Sequence, residues 1–533
     1  MVGDLLSRIW NFASRRRVPD SVSPENILPS AIIDLLQHDG HATALRLTLR
    51  DLLVKGQSFP IPDLLNTASR LGWSDNEVQK LAAYAEFFSG QAALAYRRLI
   101  ETGLARRDYP LFMTACVQCY LHDRLAEGYT LLQMFEPDAA DELDLGEFLA
   151  YAGYIAFAGG GTAAEACGYF DRALDLGLIS PLLLVNAYPI YVESGQHVRE
   201  EQVRQLIHHH YPEDPEAVYA VATVELSRDY YPEGFRLAEV RYRMPEAPRS
   251  LNPTLLHRPR WQGEPLSGKR LLVHGEQGLG DIVMMSRYLP MLNDLGGQIL
   301  LDCRAEAAPL LRHNFPDCAI IETDLRTPIQ IPFDFWTGIM SLPFHFSTRA
   351  GEVPATQGYL STPPEQKGYW RHRVREISPG SGPKIGLAWS GNPSHRADLR
   401  RSIPFHKIVD SLVSLPAMDF FALQTRVPAG GPAHLIDLSD ELITLADTAA
   451  LIDEMDLVIT VDTSIVHLAG ALGKMTWLLL PSRYEWRWGL SGEGNNWYDS
   501  VRVLRQRISG DWDDLLAEVF GERLPLFVES LGR

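Results

Sequence analysis

From about residue 26 to residue 245, apolar residues recur at three- and four-residue spacings with few alternating stretches, which predicts one helix after another. Short turns punctuate this half: FFSGQ around Gly90, YLHDR around Asp123, AFAGG around Gly159, YVESGQ around Gly195 and LSRDYY around Asp229. Their intervals, about 33 to 36 residues, match a repeat built from pairs of helices. A small-then-large spacing follows the turns, clearest in Ala166, Phe170, Ala173 and Leu174, where small residues let paired helices approach and Phe170 fills the gap. Such an array buries its core between neighbouring repeats and leaves a long concave face. That face is either a groove for a protein or peptide, or a surface for scaffolding and self-association.

The period changes after a segment rich in Pro, Gly and Arg (Ala247 to Lys269), read as a domain boundary. RLLVH (Arg270 to His274) reads as a buried strand, followed by a helix over Ile282 to Leu295 and a second strand, QILLDC (Gln298 to Cys303). A stretch rich in Pro, Gly and charge, Thr362 to Pro383, reads as a linker. Beyond it come the strands KIGLA, FFALQT, DLVITVD and TWLLLP, separated by helical stretches. Strands alternating with helices imply parallel sheets. The expected organisation is α plus α/β: a helical repeat domain over 26–245 and two Rossmann-like domains over 268–365 and 384–533.

Composition narrows the class. A chain of 533 residues is too long for a single core. The net charge of −18 argues against a nucleic-acid partner, which calls for a basic face. No apolar run reaches the roughly 20 residues that span a bilayer. The N-terminus mixes apolar residues with Arg15, Arg16 and Arg17 and lacks a secretory pattern, so it reads as a frayed end, with peripheral membrane contact as the alternative. Five cysteines make no disulfide framework, which favours a reducing cytoplasm. Cys116 and Cys119 with His122 form one CxxC, too little for a zinc site, and read as buried thiols. His208, His209 and His210 read as a solvated helix end.

Two strand-to-helix junctions carry the chemistry. The first, HGEQGLGD, turns through Gly275, Gly278 and Gly280 onto Asp281 and lacks the spacing of a dinucleotide fingerprint. Asp302, at the end of the next strand, is a weak ribose ligand, so nicotinamide chemistry is disfavoured. The second, DLVITVDTSIVHLAGALG, ends a strand on Asp462-Thr463-Ser464 and opens a helix, a setting suited to an anion. His467 lies one turn along that helix, within reach of a phosphate oxygen. Between the junctions, WSGNPSHRADLRRSIP carries Ser390, Asn392, His395, Arg396, Arg400 and Arg401, a loop whose arginines suit phosphate oxygens. Gln424 and Asp447-Thr448 stand at further strand or helix ends as candidates for base or ribose contacts. Trp486, Arg487 and Trp488 either close the site or pack the final helix, and read chiefly as aromatic core.

Taken together, HGEQGLGD, WSGNPSHRADLRRSIP, DTAALIDEMDLVITVDTSIVHLAGALG and WRWG resemble the bacterial tetratricopeptide-repeat glycosyltransferases, whose GT-B catalytic half is similar to the ADP-heptose–lipopolysaccharide heptosyltransferases. The resemblance spans nearly the whole chain, keeps the motif order, and is specific for the family rather than the sugar. It implies a GT-B pair of Rossmann-like domains, acceptor side first, with the nucleotide-sugar mainly on the second. It places the general base at Asp281, with Glu276 in reserve, against the plain alternative that Asp281 caps its helix. The donor candidates are Asn392, Arg400, Arg401, Gln424, Thr463, Ser464 and His467; the resemblance puts Arg401 foremost, matching a basic position of the family, favours His467 as a ligand, and implies no metal cofactor. Some relatives glycosylate flagellin, so the implied function is inverting transfer to a hydroxyl of a protein acceptor recruited by the repeats. The rivals are transfer to a lipopolysaccharide or other glycan, with the repeats serving homo-oligomer assembly, and a non-catalytic scaffold.

Overall fold

The computed structural model describes residues 124–133 and 145–532 together with 116, 119 and 120, apart from 245–246, 248–250, 393–397, 414, 416–417, 483–484 and 508–509. The N-terminal arginines, the turns at Gly90 and Asp123, His122, His395 and Arg396 lie outside the described residues. The chain divides after Ile190 into two compact units.

In the first unit, α1 (Leu125–Leu132), α2 (Leu145–Ala158) and α3 (Ala163–Asp175) pack in sequence order, α1 on α2 and α2 on α3, and α4 (Pro181–Glu193) follows, its last three residues falling beyond the division. Helix α3 starts on Thr162, which accepts from the Glu165 N–H at 3.2 Å while Glu165 accepts from the Thr162 N–H at 2.8 Å. Ala166, Phe170, Ala173 and Leu174 form its buried face. Phe170 lies so close to Gly153 of α2 that a Cβ there would stand 2.4 Å from the ring, so glycine is what admits the phenyl group. Cys116 and Cys119 are buried thiols, and burial raises both above the usual range, Cys119 to about 12.

The second unit opens with α5 (His197–His210), α6 (Pro215–Ser227) and α7 (Tyr231–Ala238), then a 3-10 turn, Glu239–Arg243. The three histidines close α5 on its exposed end. Two parallel sheets follow. The first runs β3 (Ala319–Glu322), β2 (Gln298–Cys303), β1 (Arg270–His274), β4 (Phe335–Gly338), with α8 (Leu279–Met285) after β1. Helix α9 (Pro364–Ile377) comes next. The second sheet has order β10-β9-β8-β5-β6-β7, from β5 (Lys384–Ala388), β6 (Asp419–Ala422), β7 (Leu435–Asp437), β8 (Leu457–Val461), β9 (Thr476–Leu480) and β10 (Val501–Arg505). Helices α10 (Leu445–Asp453) and α11 (Ser464–Ala471) flank β8. Strands β8 and β9 are buried along their whole length, as expected of parallel strands covered on both faces. One apolar core runs through both sheets, from Ile282 and Met285 of α8 to Val466 and Leu468 of α11.

The expected linker is a correction. Residues Pro364–Ile377 form α9, which packs on α10 and buries Trp370 and Val374. The helix expected over Ile282 to Leu295 is also broken, into α8, a 3-10 turn and the short helix Leu289–Asn293. Among the described residues no helix is long and apolar enough to cross a membrane.

Candidate active site

Each sheet has one place where strands leave in opposite directions: β1 lies between β2 and β4, and β5 between β6 and β8. Ligands of open α/β sheets bind outside the carboxyl ends of the strands at such switch points. The first junction follows β1, and the second follows β8 beside β5. The two meet directly: a Cβ on Gly280 would lie 2.7 Å from His467 Cδ2 and 3.3 Å from the Ser464 Cα. The N-terminal ends of α8 and α11 therefore abut.

At the first junction Gln277 adopts φ 66°, a conformation costly for a residue with a side chain and often found at functional turns. The turn delivers Asp281 to the third position of α8. Its Oδ2 accepts from the Gly278 N–H at 2.9 Å, so Asp281 is a helix cap. Its Oδ1 is bonded by the Arg487 guanidinium, which reaches it from 206 residues away. Arg487 also pairs with Glu485, whose other oxygen accepts from the Arg487 backbone N–H at 2.9 Å. Burial opposes the Arg487 charge, but Glu485, Asp281 and Asp462 outweigh it and hold its pKa above the ordinary value. Burial pushes Glu485 up to about 7, Arg487 opposing and Asp462 and Asp281 reinforcing. Burial likewise raises Asp462, against the pull of Arg487.

Glu276 has a different setting. Its carboxylate accepts from Arg241 at 2.7 and 3.1 Å, from the Tyr242 hydroxyl at 3.0 Å and from the Met340 N–H at 3.2 Å. Arg241 also holds Glu239 at 2.7 Å and Ser341 at 2.7 Å. Glu276 thus joins the 3-10 turn Glu239–Arg243 to the first sheet. Asp302 is fully buried, bonded to His274 Nδ1 at 2.8 Å and by Thr323, which removes it from any ribose.

At the second junction Thr463 caps α11, accepting from the Ile465 N–H at 3.3 Å, and Ser464 opens the helix half-buried. Arg401 donates to the Asp462 carbonyl at 2.9 Å and to Asp398 at 3.3 Å, placing its guanidinium at the β5–β8 switch point. Arg400 belongs to the short helix Asp398–Arg401, and Asn392 is exposed on the loop after β5. Gln424 holds that loop: its Oε1 accepts from Trp389 and Ser390 N–H at 2.9 and 3.1 Å, and its Nε2 donates to Ser390 Oγ at 2.8 Å. Asp447 caps α10 by accepting from the Thr444 N–H at 2.9 Å, and Thr448 donates to the Thr444 carbonyl at 3.3 Å. His467 is buried, stacked on Trp488 at 5.5 Å, with Nδ1 3.1 Å from the Tyr498 hydroxyl. Burial, aided by Arg487, pushes it down to about 3, so the ring is neutral at any working pH.

The structure thus brings Asp281, Ser464, Thr463, His467 and Arg401 to one place. It commits Glu276, Gln424 and Asp447 to holding neighbouring backbone or side chains. Sequence reasoning undervalued Arg487 and missed Glu485. The signal was an arginine between two tryptophans that are both buried, which forces the intervening side chain to another face. Tyr219 of α6 was missed too: it is half-buried and within electrostatic reach of Arg241, Arg487, Asp281 and Glu276. Among the described residues no group of three or more His, Cys, Asp or Glu is placed to hold a metal ion.

No family model matches the chain. It is 29% identical over 328 residues to protein FlbA of Caulobacter vibrioides, a match covering 56% of this chain and 54% of that protein. The chain therefore spans about half the length of this curated relative. Among solved structures, E. coli ADP-heptose lipopolysaccharide heptosyltransferase II aligns at 15% identity over 49% of this chain and 97% of its own, with a TM-score of 0.32. The Thermobaculum terrenum O-GlcNAc transferase aligns at 13% identity over 86% of this chain and 94% of its own, with a TM-score of 0.27. Superpositions this loose say nothing about the reaction.

Proposed function

We propose that the chain is an inverting glycosyltransferase that moves a sugar from a nucleotide-sugar to a hydroxyl of a protein acceptor, with flagellin as the first candidate. Supporting this most is the convergence of the two switch-point junctions, which puts the Asp281 carboxylate beside the N-terminus of α11 and two arginines. In this reading Asp281 takes the acceptor hydroxyl proton as the oxygen bonds to the anomeric carbon. The bond to the donor phosphate breaks, and its oxygen leaves with the electron pair. The N–H groups and dipole of α11, Thr463, Ser464, Arg401 and Arg487 receive that charge, a role otherwise filled by a metal ion. Neutral His467 packs the two helix ends together and adds no charge to the phosphate site.

The helix pairs over 26–245 are proposed as tetratricopeptide-like repeats that present the acceptor, and 268–365 and 384–533 as the acceptor-side and donor-side halves of a GT-B catalytic region. Incubating the full chain with flagellin and ADP-, CMP-, GDP- and UDP-sugars in turn should give one productive donor, read as a mass increase on intact flagellin. Asp281→Asn should lower that transfer by about 10²- to 10⁴-fold while nucleotide binding persists. Undiminished transfer by the Asn variant removes Asp281 as the base.

A further inference from the structure

We infer that Arg487 is a positioning residue that exchanges Asp281 for the diphosphate of the donor, so that nucleotide-sugar binding itself releases the base. The inference rests on the glycosyltransferase reading above and adds an order to it: donor first, then proton transfer.

Both oxygens of Asp281 are engaged, Oδ2 by the Gly278 N–H at 2.9 Å and Oδ1 by Arg487. The first bond belongs to the helix cap and survives any ligand. The second is the one that matters for chemistry. While Arg487 donates to Oδ1, that oxygen is occupied and an acceptor hydroxyl cannot hydrogen-bond to it, the contact a general base needs. Asp281 works best as a base after Arg487 has left it.

Arg487 has somewhere to go. Its guanidinium lies over the Trp486 ring, 4.4 Å from the centroid, a contact that does not depend on Asp281. Its Nε is buried without a partner among the described residues, so one donor is already waiting for an acceptor. Three carboxylates, Asp281, Glu485 and Asp462, act on this one cation, and Asp462 immediately precedes the Thr463-Ser464 anion site. A diphosphate arriving there adds negative charge beside Asp462 and Glu485, and needs a cation nearby. Arginine is suited to bind phosphate oxygens in a fork, and Arg487 is the cation shared between base and phosphate site. The exchange breaks one ion pair and forms another, with no covalent step.

Competition of this kind has a thermodynamic signature. The full chain is titrated by calorimetry with ADP, UDP, GDP and CDP, and the tightest of the four is taken as the probe. Arg487→Met should weaken the probe at least about tenfold, as loss of a charge-assisted contact does. Asp281→Asn should tighten it several-fold, because the competing carboxylate has gone. The double variant should bind like Arg487→Met, since the gain from Asp281→Asn exists only while Arg487 is present. Thermal melts accompany each protein, and the Asp281→Asn arm decides by itself if Arg487→Met does not fold. Wild-type affinity in Asp281→Asn, or an equal gain in the presence and absence of Arg487, overturns the exchange and leaves the glycosyltransferase reading standing. A wild-type chain that binds none of the four nucleotides overturns the exchange, and one that also fails to bind CMP overturns both.

Discussion

At Gly280 the missing side chain is the contact between the two halves of the site. A methyl group there would press on the His467 ring at 2.7 Å and on the Ser464 backbone at 3.3 Å. Neither neighbour yields easily, because His467 is held by Trp488 and Tyr498 and Ser464 opens α11. Gly280→Ala should therefore cost about 1–3 kcal/mol in denaturant unfolding, typical of overpacking, and lower transfer at least tenfold at temperatures where the variant is fully folded. Normal transfer in a folded variant would show that the spacing of α8 and α11 is unimportant. Glu485 supplies a pH prediction. Its folded-state pKa of about 7 lies above the ordinary 4.5, so across that window the folded chain holds a proton that the unfolded chain has lost. Its contribution is fully present below 4.5 and disappears as pH rises through 7. Glu485→Gln should accordingly gain stability relative to wild type as pH rises through that window. Urea midpoints of both proteins measure it, and a constant difference across the window refutes the assignment.

At the scale of elements, the sequence was readable where a strand is buried on both faces. The runs LVITV and TWLLL are continuous apolar segments and form β8 and β9. Four strands escaped notice: β7 has three residues, β3 and β4 have four each, and the apolar run of β10 is interrupted by exposed Arg502. Helix α9 escaped for a related reason. Only Trp370 and Val374 are buried in fourteen residues, a stripe too narrow to stand out from PEQKGYWRHRVREI, and Pro364 at its first turn reads as punctuation although proline favours that position. Trp370→Ala should behave as a core mutation, losing about 3–5 kcal/mol in chemical unfolding. A loss below 1 kcal/mol would return the segment to the status of linker. The site divides in the same way. Both junctions were legible because a strand, a turn and a helix start are local features. Arg487 and Arg241 were not, because their carboxylate partners lie 206 and 35 residues away and no local pattern records such a pairing.

For the whole molecule, those long-range pairs decide where the chain can be cut. A boundary at 245 follows the change of sequence period, and a fragment beginning at 246 looks like a natural catalytic half. It would lack Arg241 and Tyr242, leaving the Glu276 carboxylate buried beside β4 without its cation. Stranding one member of a buried ion pair costs about 3–5 kcal/mol. Glu239 would go as well, and with it the 2.5 Å partner of Arg260. The compact unit begins instead at Tyr191 and keeps the whole network. Residues 191–533 should therefore unfold in one cooperative transition, and residues 246–533 should be less stable by roughly that 3–5 kcal/mol or fail to fold. The stable fragment then tests recruitment without confounding it with damage to the site. If helices before Tyr191 present the acceptor, residues 191–533 should bind nucleotide as the full chain does and transfer to intact flagellin much more slowly. Equal transfer by fragment and full chain, measured by mass spectrometry at limiting acceptor, would confine acceptor recognition to residues 191–533 and leave the earlier helices with another task.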